Sequence, residues 1–201
     1  MVGIIKMNIN KKPVSADEVN ALCSKYDISP LMASIFLRRG ITSGKDIFYF
    51  LEDDIRFEHS PFLFSQMEDA VERILSAKEE GEKVLIFGDR DVDGITSTAI
   101  LYKQLKNMDL NVSWRLPLND DAYGLSMDAV EDFAKEDGTL IITVDCGISN
   151  APEIDRAAEL GIDVIVTDHH NPPEIIPENA VAVIDPKCEN SGYPFAGISG
   201  A

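Results

Sequence analysis

The stretch KVLIFGDRDVDGITSTAILYKQLKNM, residues 83–108, decides the fold. A short apolar run ends at Phe87. Gly88 and three aspartates come next, and then a segment whose apolar residues recur at helical intervals. An apolar run without polar alternation is what a strand buried on both faces requires. Four more runs have this character: NVSWRL (111–116), TLIITV (139–144), IDVIVT (162–167) and AVAVI (180–184). SMDAVEDFAKED and NAPEIDRAAELG, with helical spacing, lie between them. Strand–helix alternation predicts an α/β fold, a parallel β-sheet with right-handed crossovers and helices on both faces, over residues 81–201.

Upstream, residues 1–80 read as a helical segment preceding the sheet. ISPLMASIFLRRG offers Ser29 as N-cap, Pro30 at the first helical position and Gly40 past the end, with Leu31 and Ile35 at helical spacing. SGKDIFYFLEDD suggests a short helix opening at Ser43. SPFLFSQ interrupts, and MEDAVERILSAKEEG places Met67, Val71, Ile74 and Leu75 on one stripe before Gly81. FAGISGA begins a glycine-rich stretch in which the sequence stops, which reads as the front part of a longer protein.

The balance of 18 basic against 35 acidic residues gives a net charge of −17. That argues against broad electrostatic binding of a polyanion and leaves two routes to nucleic acid: carboxylate-held cations, or a local basic surface. Three widely spaced cysteines, Cys23, Cys146 and Cys188, show no metal spacing and read as a reducing, cytoplasmic compartment. No apolar run approaches the ~20 residues of a membrane span.

The chemistry lies just past the ends of the predicted strands. Asp89, Asp91 and Asp93 come after the first, Asp145 after the third, Asp168, His169 and His170 after the fourth, and Asp185 after the fifth. Open parallel sheets bind ligands outside the carboxyl ends of their strands, so these residues are expected at one rim. Clustered carboxylates repel and take up protons unless a cation neutralises them. Oxygen ligands with imidazole suit Mn²⁺ or Mg²⁺, and this many ligands suit two ions, the arrangement that hydrolyses phosphoesters. Taken alone, each element has a simpler reading. Asp145 can be the N-cap of the next helix, and DHH can be solvated surface. DxDxDG resembles a calcium loop, but ITSTAI after Gly94 lacks the glutamate that such a loop needs. Cys146 reads as a packing residue.

GDRDVDGITSTAIL, TVDCGI (143–148), VTDHHNPPE (166–174) and VIDPK together resemble the motifs of the DHH phosphoesterases, and AYGLS (122–126) resembles a tyrosine–glycine segment of their single-strand-specific DNA exonucleases. The helical lead-in is similar too. The resemblance implies a metal-dependent phosphodiesterase with two Mn²⁺ or Mg²⁺ ions, degrading single-stranded DNA from the 5′ end in repair and recombination. It implies Asp89, Asp91, Asp145, Asp168 and His169 as metal ligands. His170 matches a histidine that touches the scissile phosphate or the metal. Asp93 is a second catalytic candidate, or a support of the turn at Gly94. Tyr123 and Gly124 are candidate substrate contacts. Arg90 stands where a tyrosine is usual, Phe87 where a histidine is frequent, and Asn119, Asp120 and Asp121 replace a common arginine. Arg90 is therefore a candidate phosphate contact.

The resemblance makes single-stranded DNA the expected partner, with a single-strand-binding protein and a helicase as further candidates. It also implies further substrate-binding parts, without which the chain is expected to lack full activity. Three alternatives stay open: a phosphodiesterase for short oligonucleotides or cyclic dinucleotides, a catalytically degenerate scaffold, and a receiver-like domain. The last does not account for the adjacent histidines.

Overall fold

The computed structural model describes residues 11–52, 58–118 and 122–201. The chain divides into two compact units, residues 1–58 and 59–201. Asn119, Asp120 and Asp121 lie outside the described residues.

The first unit holds three helices, each opened by a serine whose hydroxyl accepts a backbone N–H: α1 (Ala16–Tyr26), α2 (Pro30–Arg39) and α3 (Gly44–Leu51). Ser29, Gly40 and Ser43 cap as the sequence predicts. In α2, however, Ala33 and Phe36 are buried, whereas Leu31 and Ile35 are exposed. At α1, Ser15 and Glu18 form a reciprocal capping box, a signature that the general helical reading of this region does not single out.

The second unit opens with a 3₁₀ turn (Pro61–Leu63) and α4 (Met67–Glu80). It continues as β1 (Lys83–Gly88), α5 (Val92–Asn107), β2 (Asn111–Arg115), α6 (Met127–Lys135), β3 (Leu140–Val144), α7 (Ala151–Glu159), β4 (Asp163–Thr167) and β5 (Ala182–Ile184). All pairings are parallel, in the order β2-β1-β3-β4-β5. Side chains alternate between two layers. Val84, Ile86, Leu140, Ile142 and Ile165 pack with α4 and α5. Leu85, Phe87, Ile141, Val164 and Val166 pack with α6 and α7. Helices on both faces explain why β1, β3 and β4 are apolar along most of their length, whereas the edge strand β2 buries only Val112.

The break between units falls before α4, not near residue 80. Ala70 and Ala77 of α4 are buried in the sheet's core, and Met67 and Ile74 pack against it. The buried stripe is thus 67-70-74-77, while Leu75 is exposed. Small alanines let the helix lie close to the sheet, and an apolarity search overlooks them. Arg73 ties α4 to the sheet unit by ion pairs to Glu82 at 2.6 Å and Asp163 at 2.5 Å.

The strand order fixes where a site can form. The chain leaves β1 toward β2 on one side, and β3, β4 and β5 follow on the other. The direction therefore reverses between β1 and β3, the place where open α/β sheets leave a crevice. Among the described residues no helix is long and apolar enough to cross a membrane.

Candidate metal centre

Two glycines bring the acids of the first motif together. A Cβ on Gly88 would overlap Thr98 Oγ1, and a Cβ on Gly94 would lie 2.5 Å from the Asp89 carbonyl oxygen. Without side chains there, the first turn of α5 lies directly against the end of β1. Asp91 caps that helix, its Oδ1 accepting the Gly94 N–H at 3.0 Å. Asp89, Asp91 and Asp145 consequently offer one carboxylate oxygen each, all within 4.8 Å of one another.

Asp145 stands at the end of β3 with φ 59, in the left-handed region. That conformation carries strain for a residue other than glycine, and such strain collects at functional sites. Asp145 also forms a second set with His169 and His170, whose ligand atoms again lie within 4.8 Å of one another. The two sets share this one carboxylate.

The tautomer of each histidine is set by its partners. His169 Nδ1 lies 2.9 Å from the Ile198 carbonyl oxygen, an acceptor only, so Nδ1 carries the proton. Nε2 then points its lone pair toward Asp145 Oδ1 at 3.0 Å and Asp93 Oδ2 at 3.6 Å. A lone pair facing carboxylate oxygens is unfavourable unless a proton or a cation lies among them. A backbone carbonyl holding the far nitrogen is the usual support of a metal-binding imidazole. His170 Nδ1 donates to Asp168 Oδ1 at 2.7 Å, and its Nε2 lies 3.3 Å from the Tyr123 hydroxyl.

The remaining hydrogen bonds sort the acids. Asp168 Oδ1 also accepts the N–H groups of His169 and His170, and Oδ2 accepts that of Ile148. Asp168, expected from the sequence as a metal ligand, instead spends both oxygens on ordering the DHH loop and lies in neither ligand set. Asp93 accepts the N–H groups of Gly200 and Ala201. By contrast, Asp89 Oδ1, Asp145 Oδ1 and Asp185 Oδ2 are buried without a hydrogen-bond partner. Burial first, and the Asp93 and Asp91 charges next, push the Asp145 carboxyl up to about 6. Buried, unpaired carboxylate oxygens grouped with an imidazole lone pair fit a divalent cation.

Other predicted residues fall around this cluster. The Tyr123 hydroxyl donates to the Asp145 carbonyl at 3.0 Å and lies 3.0 Å from His170 Nδ1. Burial, then the Asp168 charge, pushes its phenol up. Gly124 is buried at φ 84, where a Cβ would strike Asn150 Oδ1. Asn150 bonds both the N–H and the C=O of Leu125, so Gly124 serves that turn. Arg90 is exposed. Phe87 and Cys146 are buried together in the α6–α7 layer, where burial raises the thiol's pKa and keeps it unreactive. Sequence reasoning missed Asn150 and the backbone of 198–201. The glycines of FAGISGA were the available signal for the latter.

The chain is similar to several known proteins. RecJ of Bacillus subtilis, a single-stranded-DNA-specific exonuclease, is 35% identical over 185 residues, covering 92% of this chain and 23% of that protein. RecJ of Escherichia coli is 31% identical over 198 residues, covering 98% and 33%. The chain thus spans 23–33% of the length of these curated relatives. A crystal structure of exonuclease RecJ bound to manganese superposes with a TM-score of 0.60 at 32% identity, covering 66% of this chain and 34% of that one. RecJ of Thermus thermophilus in complex with Mn²⁺ gives 0.62 at 26% identity, covering 86% and 24%. Residues 83–201 match the N-terminal domain of the DHH family, and the chain belongs to that family.

Proposed function

We propose that this chain carries the metal-binding catalytic centre of a phosphodiesterase that degrades single-stranded DNA from the 5′ end, in repair and recombination. The observation that carries the reading is the pair of ligand sets sharing Asp145, with buried, unpartnered oxygens on Asp89 and Asp145. Asp89, Asp91, Asp145 and His169 would hold two ions, Mn²⁺ or Mg²⁺, with His170 at the second set. When bound, these ions would polarise a phosphoryl oxygen and acidify a water. Imidazole among the ligands favours Mn²⁺.

The chain's own residues divide the remaining work. Asp168 fixes the His170 tautomer, so that Nε2 can contact the scissile phosphate or exchange a proton with it. His170 is the more accessible of the pair, its side chain 45% exposed against 23% for His169. Tyr123 steadies the imidazole. Arg90, exposed between two ligand positions, is proposed to meet the phosphate chain. With a net charge of −17, sustained grip on DNA is assigned to parts beyond this chain. Single-strand-binding protein and a helicase are the proposed partners, in the cytoplasm.

Single strands labelled at the 5′ or the 3′ end, incubated with the full-length protein and Mn²⁺, test the proposal. Label should leave the 5′ end first, and Asp91→Ala should slow release by ~10³-fold or more. Cleavage of dinucleotides but not of long strands would replace the DNA reading. A protein that binds no Mn²⁺ would leave only a scaffold.

A further inference from the structure

Gly200 is a glycine that its backbone does not require. Gly40, Gly81 and Gly161 have positive φ and open space where a Cβ would go. Gly200 is not among the positive-φ glycines. The space around it is what excludes a side chain. A Cβ there would lie 2.6 Å from Asp145 Oδ1, 2.8 Å from Asp145 Cβ and 2.9 Å from Asp145 Cγ. Because the contact includes the Asp145 Cβ, a rotation of the carboxylate alone cannot relieve it, and the Asp145 side chain is only 1% exposed.

The same few residues make three more contacts with the site. The Ile198 carbonyl holds His169 Nδ1 at 2.9 Å. The Gly200 and Ala201 N–H groups hold the two oxygens of Asp93 at 2.8 and 2.9 Å. Ile198 itself packs against the sheet's core, which anchors the segment from below.

We infer that residues 198–201 are a positioning strap of the metal site. Gly200 acts by leaving Asp145 its place, and the strap's backbone aims His169 and restrains Asp93. This inference rests on the reading of the cluster as a metal site. These contacts are made by main chain and by an absent Cβ. Supports of this kind typically change metal affinity ~10–100-fold when disturbed.

Mn²⁺ titration monitored by electron paramagnetic resonance tests the strap, with folding checked by circular dichroism in EDTA. Gly200→Ala should weaken Mn²⁺ binding by ~10-fold or more and alter the signal of the bound ion. Ala201→Pro removes one N–H donor from Asp93 without adding bulk beside Asp145 or changing charge. It should also weaken binding, and it keeps the test decisive if Gly200→Ala does not fold. Leu75→Ala, on the exposed face of α4 and outside the strap, should bind as wild type. Wild-type affinity in a folded Gly200→Ala, or in Ala201→Pro, would overturn the strap alone. A wild-type protein that binds no Mn²⁺ would overturn the metal reading, and the strap with it.

Discussion

Replacing Asp145 with asparagine should stabilise the protein without metal and destabilise it, relative to wild type, with metal. Burial, and after it the charges of Asp93 and Asp91, raise the Asp145 carboxyl from 3.8 to about 6, while His169 and His170 pull it down. A carboxyl that ionises less readily in the folded chain opposes folding at high pH. The penalty is absent below the unfolded value of 3.8 and complete above about 6. That rise corresponds to ~3 kcal/mol at neutral pH. Asparagine keeps the size, tolerates the φ of 59 and can donate to the facing His169 Nε2. In EDTA the variant should therefore melt higher by roughly 6–12 °C, at ~2–4 °C per kcal/mol for chains of this length.

With metal the order should invert. A cation at a thousand times its Kd adds ~4.1 kcal/mol to the wild type, more than the ~3 kcal/mol that the buried carboxylate costs it. The variant lacks the carboxylate common to both ligand sets and should gain little. Differential scanning calorimetry of both proteins in EDTA and in Mn²⁺, at neutral pH and again near pH 4, reads all of this. The advantage of the variant in EDTA should shrink at the lower pH, as the wild-type carboxyl takes up its proton. A variant that melts below wild type in EDTA, or that gains as much as wild type from Mn²⁺, would refute the reasoning.

Three further outcomes are expected. Alanine normally stabilises a helix by ~1 kcal/mol over glycine, but Gly94→Ala should destabilise by ~1–3 kcal/mol in urea melts, because its Cβ meets the Asp89 backbone. Tyr123→Phe should leave Mn²⁺ affinity unchanged and lower kcat by ~10-fold, less than the ~10²–10⁴-fold of a general acid or base, with unchanged turnover counting against a positioning role. Burial of Glu82 acts to raise its carboxyl, but hydrogen bonds from Arg73 and Thr139 prevail and hold it below the usual 4.5. Its stabilisation is present above that value and lost as pH falls through the lower folded one, so Glu82→Gln should cost ~1 kcal/mol at neutral pH and progressively less as the solution is acidified below 4.5.

β1, β3 and β4 were legible because burial on both faces leaves no alternation, and the five predicted runs match the five observed strands to within a few residues. Helix starts were legible at Ser29 and Ser43, where a serine precedes a short apolar segment, but not at the Ser15 capping box. The packing stripes of α2 and α4 were not, because Ala33, Ala70 and Ala77 bury fully while larger apolar neighbours stay outside. The convergence of Asp89, Asp145 and His169 was legible from the rule that ligands gather at the carboxyl edge. The reversal between β1 and β3 was not, because strand order depends on which faces pack and not on any local signal. Contacts made by main chain, such as the Ile198 carbonyl on His169, leave no mark on residue type.

Sequence presents Asp89, Asp91, Asp93, Asp145, Asp168 and Asp185 as six equal acids at strand ends. Hydrogen bonding separates them. Asp168 and Asp93 meet backbone donors with both oxygens, a use of a carboxylate that orders loops and needs no cation. Asp91 divides its role, one oxygen capping α5. Asp89 and Asp145 each keep a buried oxygen with no hydrogen-bond partner, and these two flank the reversal in strand order. Asp185 keeps one as well, past the end of the edge strand β5, where burial raises its carboxyl and the Asp168 charge adds to that effect. An unsatisfied buried carboxylate opposes folding, and a fold that groups two of them, Asp89 and Asp145, with an imidazole facing Asp145 gains by holding cations. The loop-ordering acids make that arrangement possible, because they fix the histidines in place before any ion arrives.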